Sequence, residues 1–335
     1  MIGREFRTRS ESDPVIYIPI IGMHRYSRRT RKSRRGSKRR LQVGGASNSA
    51  NKTCVLYCYY ETDETRKNLE FFVKNGVFDS ENYTYVFIIN NNVCSVTFPS
   101  YKNMQVLKRS ENETDLQSYK WVITELEKGS ASFFQGFSNI YFINSSCIGP
   151  FMPTICDKNW IEHFNAVSDG TDLIGPVIEF PPDTNGYDAL SIKSDKNIPF
   201  IHTYMFGTSA KGFEVVKSVL LGMKPDINKD DLVNLVERKL TSSILTKGYK
   251  IKSLLSRFKN VDVNNESTWN TKLWSGKNGA TCYEIPGNYF GIDLNPLEVV
   301  FVKNIRNKNA GRLASNVGIS ETLSSYLKNY IHWSK

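Results

Sequence analysis

The chain has 335 residues, is 40% hydrophobic and 12% aromatic, and carries a formal charge of +11. That length allows one large domain or two smaller ones, with enough core to need no cross-links. The charge is lopsided: residues 1–50 hold 13 Lys/Arg against 3 Asp/Glu, or +10, leaving +1 for residues 51–335. The basic balance therefore belongs to the first 50 residues and excludes a basic nucleic-acid-binding face on the rest.

Residues 1–50 are predicted to be a disordered tail and linker. Arg25 to Arg40 holds ten basic residues in sixteen, followed by GGASNSA, and such a segment cannot bury enough apolar surface to fold alone. The plain reading is a solvated tail, and the alternative is an arm that contacts an acidic surface or a nucleic acid. The apolar run Val15 to Met23 is interrupted by Pro19 and precedes the basic cluster, the reverse of a secretory signal. No apolar stretch is long enough for a transmembrane helix, so a cytoplasmic location is expected. Six cysteines without a CxxC pair offer no zinc spacing and fit a reducing compartment.

From Thr53 the texture becomes that of a fold. CVLYCYY reads as a buried strand and Thr65 to Asn75 as a helix stopped by Gly76. TYVFIIN and MQVLKR follow as strands, Leu116 to Lys128 as a helix closed by Gly129, and NIYFIN as a fourth strand. This order predicts an α/β fold with an open, mostly parallel sheet flanked by helices. Further on, Trp160 to Ala166 reads as a helix, DLIGPVIEF as one strand, PPDTNGYD as a loop and PFIHTYMFGT as a strand. Gly212 to Leu221 and Asp230 to Leu245 read as helices, Trp274 to Gly279 as a loop, and Gly311 to Trp333 as helical in part.

Ligands of open α/β sheets collect at the carboxyl ends of the strands. Polar clusters fall there: Asn90–Asn92, Lys108–Arg109 through Asp115, and Asn144–Ser146 followed by Gly149–Pro150. Each has a plain alternative. Asp115 sits where a helix N-terminus favours acids, Glu237 lies in a charged helix, DDLVNLVERKL, and His202 stands alone in an apolar segment.

LKRSENETDLQSYKWVITEL and then YFINSSCIGPFMP together resemble the rhamnan-synthesis F type of glycosyltransferase and related algal and large-virus sequences. Arg109, Asp115 and Tyr119 fit that family's R-x-N-x-G-x-D-x-G-A-Y helix start, while Glu111, Glu113 and Gln117 depart from it. PFIHTYMFGTSAKGFEVV is similar to the acceptor-side segment. Glu237 with KLTSSILTKGYKI is similar to E-x-x-x-S-x-x-x-x-x-x-G-Y, with Thr241 at the Ser position, and NPLEVVFVKNIR to the terminal E-v-v-F-x-K-x-x-R. The resemblance spans Cys54 to Arg306.

It implies a GT-A fold over 51–335, with a donor half at about 51–180 and an acceptor half at about 181–310. It also implies a transferase of polysaccharide biosynthesis that moves a sugar from a nucleotide-sugar to a glycan or other hydroxyl acceptor, with inversion. Glu237 would be the general base and His202 a second catalytic group. Arg109, Asp115, Asn144, Ser146, Lys303 and Arg306 would bind the donor. Most GT-A enzymes hold Mn²⁺ or Mg²⁺ on a D-x-D at this strand end. Here Asn144 and Ser146 stand in the ligand positions without a carboxylate, so either Asp115 helps them hold a metal or Lys303 and Arg306 replace it. The missing carboxylates also leave two other readings: a catalytically impaired nucleotide-sugar or carbohydrate-binding protein on the same fold, or a basic-tailed nucleic-acid-associated interaction module.

Overall fold

The computed structural model describes residues 52–180, 198–228, 231–269, 283–284 and 287–304. The expected basic tail, the loops PPDTNGYD and Trp274 to Gly279, the C-terminal helix and Arg306 lie outside these residues.

The described residues open with β1 (Thr53–Tyr59), α1 (Asp63–Gly76), β2 (Tyr83–Ile89), β3 (Met104–Lys108), α2 (Asp115–Gly129) and β4 (Asn139–Asn144). All seven residues of β1 are buried, as expected for a strand covered on both faces. The helices start where side chains can hold the orphan N–H groups. Thr62 and Thr65 form a reciprocal capping box on α1, and Thr114 and Gln117 form one on α2.

The next elements are β5 (Cys147–Ile148), α3 (Trp160–Val167), β6 (Leu173–Gly175), β7 (Ile178–Glu179), β8 (Phe200–Ile201), β9 (Met205–Ser209) and α4 (Ala210–Leu221). A π-helical turn at Leu232–Glu237 leads into α5 (Arg238–Thr246). β10 (Ile251–Ser253), α6 (Pro296–Val299) and β11 (Val302–Lys303) complete the described elements.

Seven strands form one sheet in the order β10-β6-β9-β4-β1-β2-β3. Neighbours are parallel except around β9, which runs antiparallel to β4 and β6. The fold is thus mixed α/β with a mostly parallel central sheet flanked by helices. A core of Trp160, Tyr141, Phe72 and Phe301 packs with ring centroids 5.2–6.4 Å apart, Trp160 meeting Tyr141 and Phe301 edge to face and Phe72 lying tilted against Trp160 and Phe301.

Two expected strands divide. DLIGPVIEF leaves the main sheet after Gly175, and its second part pairs with β8 in a separate two-stranded sheet. PFIHTYMFGT breaks at His202–Tyr204 between β8 and β9. The expected helix from Asp230 is π-helical before it is α-helical. π turns are uncommon and gather at functional positions.

Candidate functional site

The sheet topology gathers distant parts of the chain at one edge. β1, β2, β3 and β4 all point their carboxyl ends the same way, so the turns after Tyr59, Ile89, Lys108 and Asn144 share that edge. β9 runs the other way and begins where β4 ends, with Met205 opposite Ile143. The His202–Thr203 break therefore lies at the carboxyl edge too. β6 ends at this edge and leads into β7 with Glu179.

β11 is brought there by the turn after β4. Lys303 pairs with Cys147 and Val302 with Ile148 in an antiparallel ribbon. The Asn304 N–H donates to the Ser146 carbonyl at 3.1 Å. Asn68 on α1 donates to the Ser145 carbonyl at 2.9 Å and exchanges amide hydrogen bonds with Asn304 at 2.8 Å. Before β11, Val300 has φ 63°, an uncommon conformation for a β-branched residue. Its carbonyl accepts the Phe151 N–H at 2.8 Å. The strained turn locks Lys303 beside the Asn144–Ser146 turn.

At the end of β4, Asn144 uses both halves of its amide. Its Nδ2 donates to the Asp115 carboxylate. Its Oδ1 accepts from the Ser146 N–H at 3.0 Å and the Ser146 hydroxyl at 2.5 Å. The other Asp115 oxygen accepts the Leu116 N–H at 3.0 Å.

Glu237 closes the π turn and lies within reach of the Asp115 and Lys303 charges. Its carboxyl is pushed above the ordinary carboxylate range first by burial and then by the Asp115 charge. Lys303, a hydrogen bond from Thr203 and the charge of His202 pull it back. The expected site residues Asp115, Asn144, Ser146, Glu237, His202 and Lys303 thus belong to one neighbourhood.

Arg109 is more detached. Its Nε faces Glu111 at 3.3 Å, one Nη faces Glu113 at 2.6 Å, and its guanidinium lies 5.2 Å from the Trp121 ring centre. Its side chain is only 5% exposed, and its Nη1 has no hydrogen-bond partner among the described residues. A buried donor left so costs about 1–3 kcal/mol, which an anionic or carbonyl ligand would offset.

His202 is clamped. Nε2 meets the Glu179 carboxylate, and Nδ1 lies 2.8 Å from Oε1 of Glu284. Burial alone would drive the imidazole toward neutrality, but the two carboxylates outweigh it and raise its pKa to about 10. Arg238 stands close enough to Glu179 and Glu237 to feel both charges, and its guanidinium lies 5.5 Å from the Phe200 ring centre. Thr241, at the resemblance's Ser position, accepts the Ile201 N–H at 2.9 Å and so braces the strand that delivers His202.

At the turn after β4, Asn144 and Ser146 do not present the ligands a divalent ion needs. Both lone pairs of Asn144 Oδ1 are engaged by Ser146, whose hydroxyl is itself a donor. Glu179, His202 and Glu284 offer ligand atoms within 4.8 Å of one another. This group could therefore hold a metal ion.

Glu179, Arg238, Glu284 and Thr203 were not singled out from sequence. An acid inside the apolar run VIEF was the available signal for Glu179. Among the described residues no helix is long and apolar enough to cross a membrane. No protein-family model matches the chain, and comparison with curated proteins finds no match.

Proposed function

We propose that this chain is a glycosyltransferase of the GT-A type that moves a sugar from a nucleotide-sugar to a hydroxyl acceptor with inversion, without a metal on the diphosphate. The observation that carries the reading is the meeting of Asp115, Asn144, Glu237 and Lys303 at the carboxyl edge of the sheet. The motif resemblance adds the substrate class.

In this reading Glu237 accepts the proton of the acceptor hydroxyl as that oxygen bonds to the anomeric carbon. The bond from that carbon to the diphosphate breaks, and its electron pair leaves with the phosphate oxygen. A raised proton affinity suits a base that must take a proton from an alcohol near neutral pH. Lys303 supplies the positive charge that the leaving diphosphate needs, in the place a metal usually takes. Asn144 holds Asp115, which orients the donor, and Arg109 has an unused donor for its phosphate or base.

A panel of UDP-, GDP- and dTDP-sugars, read by thermal shift in EDTA and in Mn²⁺, tests this. One donor class should stabilise the protein equally in both conditions. Lys303→Ala should weaken that donor roughly 10- to 100-fold, the loss of one charge-assisted contact. No shift with any donor would sink the reading, and a shift that requires Mn²⁺ would sink its metal-free form. A second reading, a donor-binding protein without turnover, draws on the absence of carboxylates at Asn144 and Ser146. Donor stabilisation without nucleotide release would favour it.

A further inference from the structure

Three ligand-bearing side chains meet that the proposed transfer does not use: Glu179, His202 and Glu284. One ligand atom from each lies within 4.8 Å of the other two. Zinc holds nitrogen and oxygen ligands at about 2.0–2.2 Å, which puts tetrahedral neighbours about 3.3 Å apart. The span of the group therefore suits a single ion. Nδ1 of His202 and Oε1 of Glu284 stand 2.8 Å apart, about half an ångström short of that spacing. The side chains of Glu179, His202 and Glu284 are 7%, 14% and 1% exposed. Carboxylates buried so deeply are paired with cations or coordinate metal.

The fold assembles the group from two directions. Glu179 lies opposite Phe200 in the β7–β8 ribbon, and residues two apart on a strand share a face. His202 is thus the diagonal neighbour of Glu179 on one face, within the reach of long side chains. The ribbon is held there by its backbone. The His202 N–H donates to the Val177 carbonyl at 3.2 Å, and the Ile201 N–H to the Thr241 hydroxyl at 2.9 Å. Glu284 arrives from the segment 283–284. Tyr283 anchors that segment among Phe258, Tyr289 and Phe290, with ring centroids 5.5–6.2 Å away.

We propose that Glu179, His202 and Glu284 bind one divalent ion of the zinc class, a staple that fastens the 283–284 segment to the β7–β8 ribbon. One imidazole with two carboxylates selects zinc over Mg²⁺ and Ca²⁺, which prefer oxygen alone. The ring binds through one nitrogen and keeps its N–H on the other. With so little exposure the site is closed, as structural zinc sites are. It stabilises the fold because an unfolded chain does not hold the three ligands together. Zinc outranks manganese for such donors, so a filled site leaves Mn²⁺ nothing to add here. The staple stands on its own geometry and goes beyond the transferase reading, in which Lys303 meets the diphosphate.

The test uses the full chain, stripped with EDTA and then dialysed against about 10 μM ZnCl₂. Elemental analysis should find one zinc per chain in wild type, and zinc should raise Tm by about 5–10 °C. Glu179→Gln and Glu284→Gln should each weaken zinc at least about 10-fold and lose most of that rise. Asn144→Ala should keep both, since the turn after β4 is not the site. Cobalt in place of zinc should show the visible bands of nitrogen and oxygen ligation, without the intense near-ultraviolet band of a thiolate. If either glutamine variant does not fold, anomalous diffraction at the zinc edge from wild-type crystals should place the ion among the three side chains.

Wild type that holds no zinc after this dialysis would overturn the proposal. So would zinc kept undiminished by folded Glu179→Gln and Glu284→Gln, a thiolate band with cobalt, or an anomalous peak elsewhere. Zinc bound at these residues in a chain that binds no nucleotide-sugar would uphold this inference and defeat the transferase reading. Donor binding and turnover by a chain that never holds zinc would do the reverse.

Discussion

A carboxylate that must take a proton from an alcohol works best when it binds protons more tightly than a free glutamate, and Glu237 is placed to do so. Its folded pKa is raised, mainly by burial and then by Asp115. The group therefore favours the folded state most in acid, and that contribution is lost as pH rises through the folded value. Asn144 gives the neighbouring carboxylate, Asp115, a neutral donor instead of a second charge. Asn144→Asp would set two carboxylates face to face, costing roughly 1–3 kcal/mol at neutral pH. Thermal melts should show millimolar Mn²⁺ restoring that variant while leaving wild type unchanged. Equal Mn²⁺ stabilisation of wild type would mean that a metal already has a place there. At this scale the sequence exposed Asp115, Asn144, Glu237 and Lys303 because they sit in recognisable motifs. Glu284 lies in no motif, and its role depends on a contact with His202 across 82 residues, which no local pattern encodes.

At the scale of elements, α4 shows how closely a helix is fitted to the sheet. Ser209 caps it by accepting the Gly212 N–H at 3.1 Å and donates in turn to Asp172 at 2.8 Å. Asp172 also accepts the Lys250 N–H at 3.1 Å, tying α4 to the entries of β6 and β10. A Cβ on Gly212 would fall deep inside the backbone carbonyl of Asp172. Gly→Ala in a helix normally stabilises by about 1 kcal/mol, whereas overpacking against rigid backbone costs about 1–3 kcal/mol. Gly212→Ala should therefore lower the denaturant midpoint, and a raised midpoint would show that α4 can move off the sheet.

The strands β1, β2 and β4 were readable as short apolar runs, and the helices as apolar periodicity between caps. The breaks were harder. Gly175–Pro176 ends one strand inside DLIGPVIEF, yet apolar residues continue past it. The π turn before α5 presents nearly the same apolar pattern as an α-helix, so periodicity could not separate them.

At the scale of the whole described fold, the decisive feature is direction. Parallel β1–β4 set their carboxyl ends on one edge, the reversed β9 brings His202 and Thr203 to it, and the β5–β11 ribbon returns Lys303 from 155 residues beyond Ile148. The parallel sheet was predictable from the alternation of strands and helices. The reversal at β9 was not, because a strand's direction depends on its partners and not on its own residues.

The central claim is that Glu237 is the base of a metal-free sugar transfer at this edge. Its most direct test is the rate of nucleoside diphosphate release from the stabilising donor, measured in EDTA for wild type and Glu237→Gln alongside donor binding by both. The account predicts release by wild type, and a variant that binds the donor as well but releases nucleotide roughly 10²- to 10⁴-fold more slowly. Release at the wild-type rate by Glu237→Gln, or none by wild type from any donor in the panel, would contradict it.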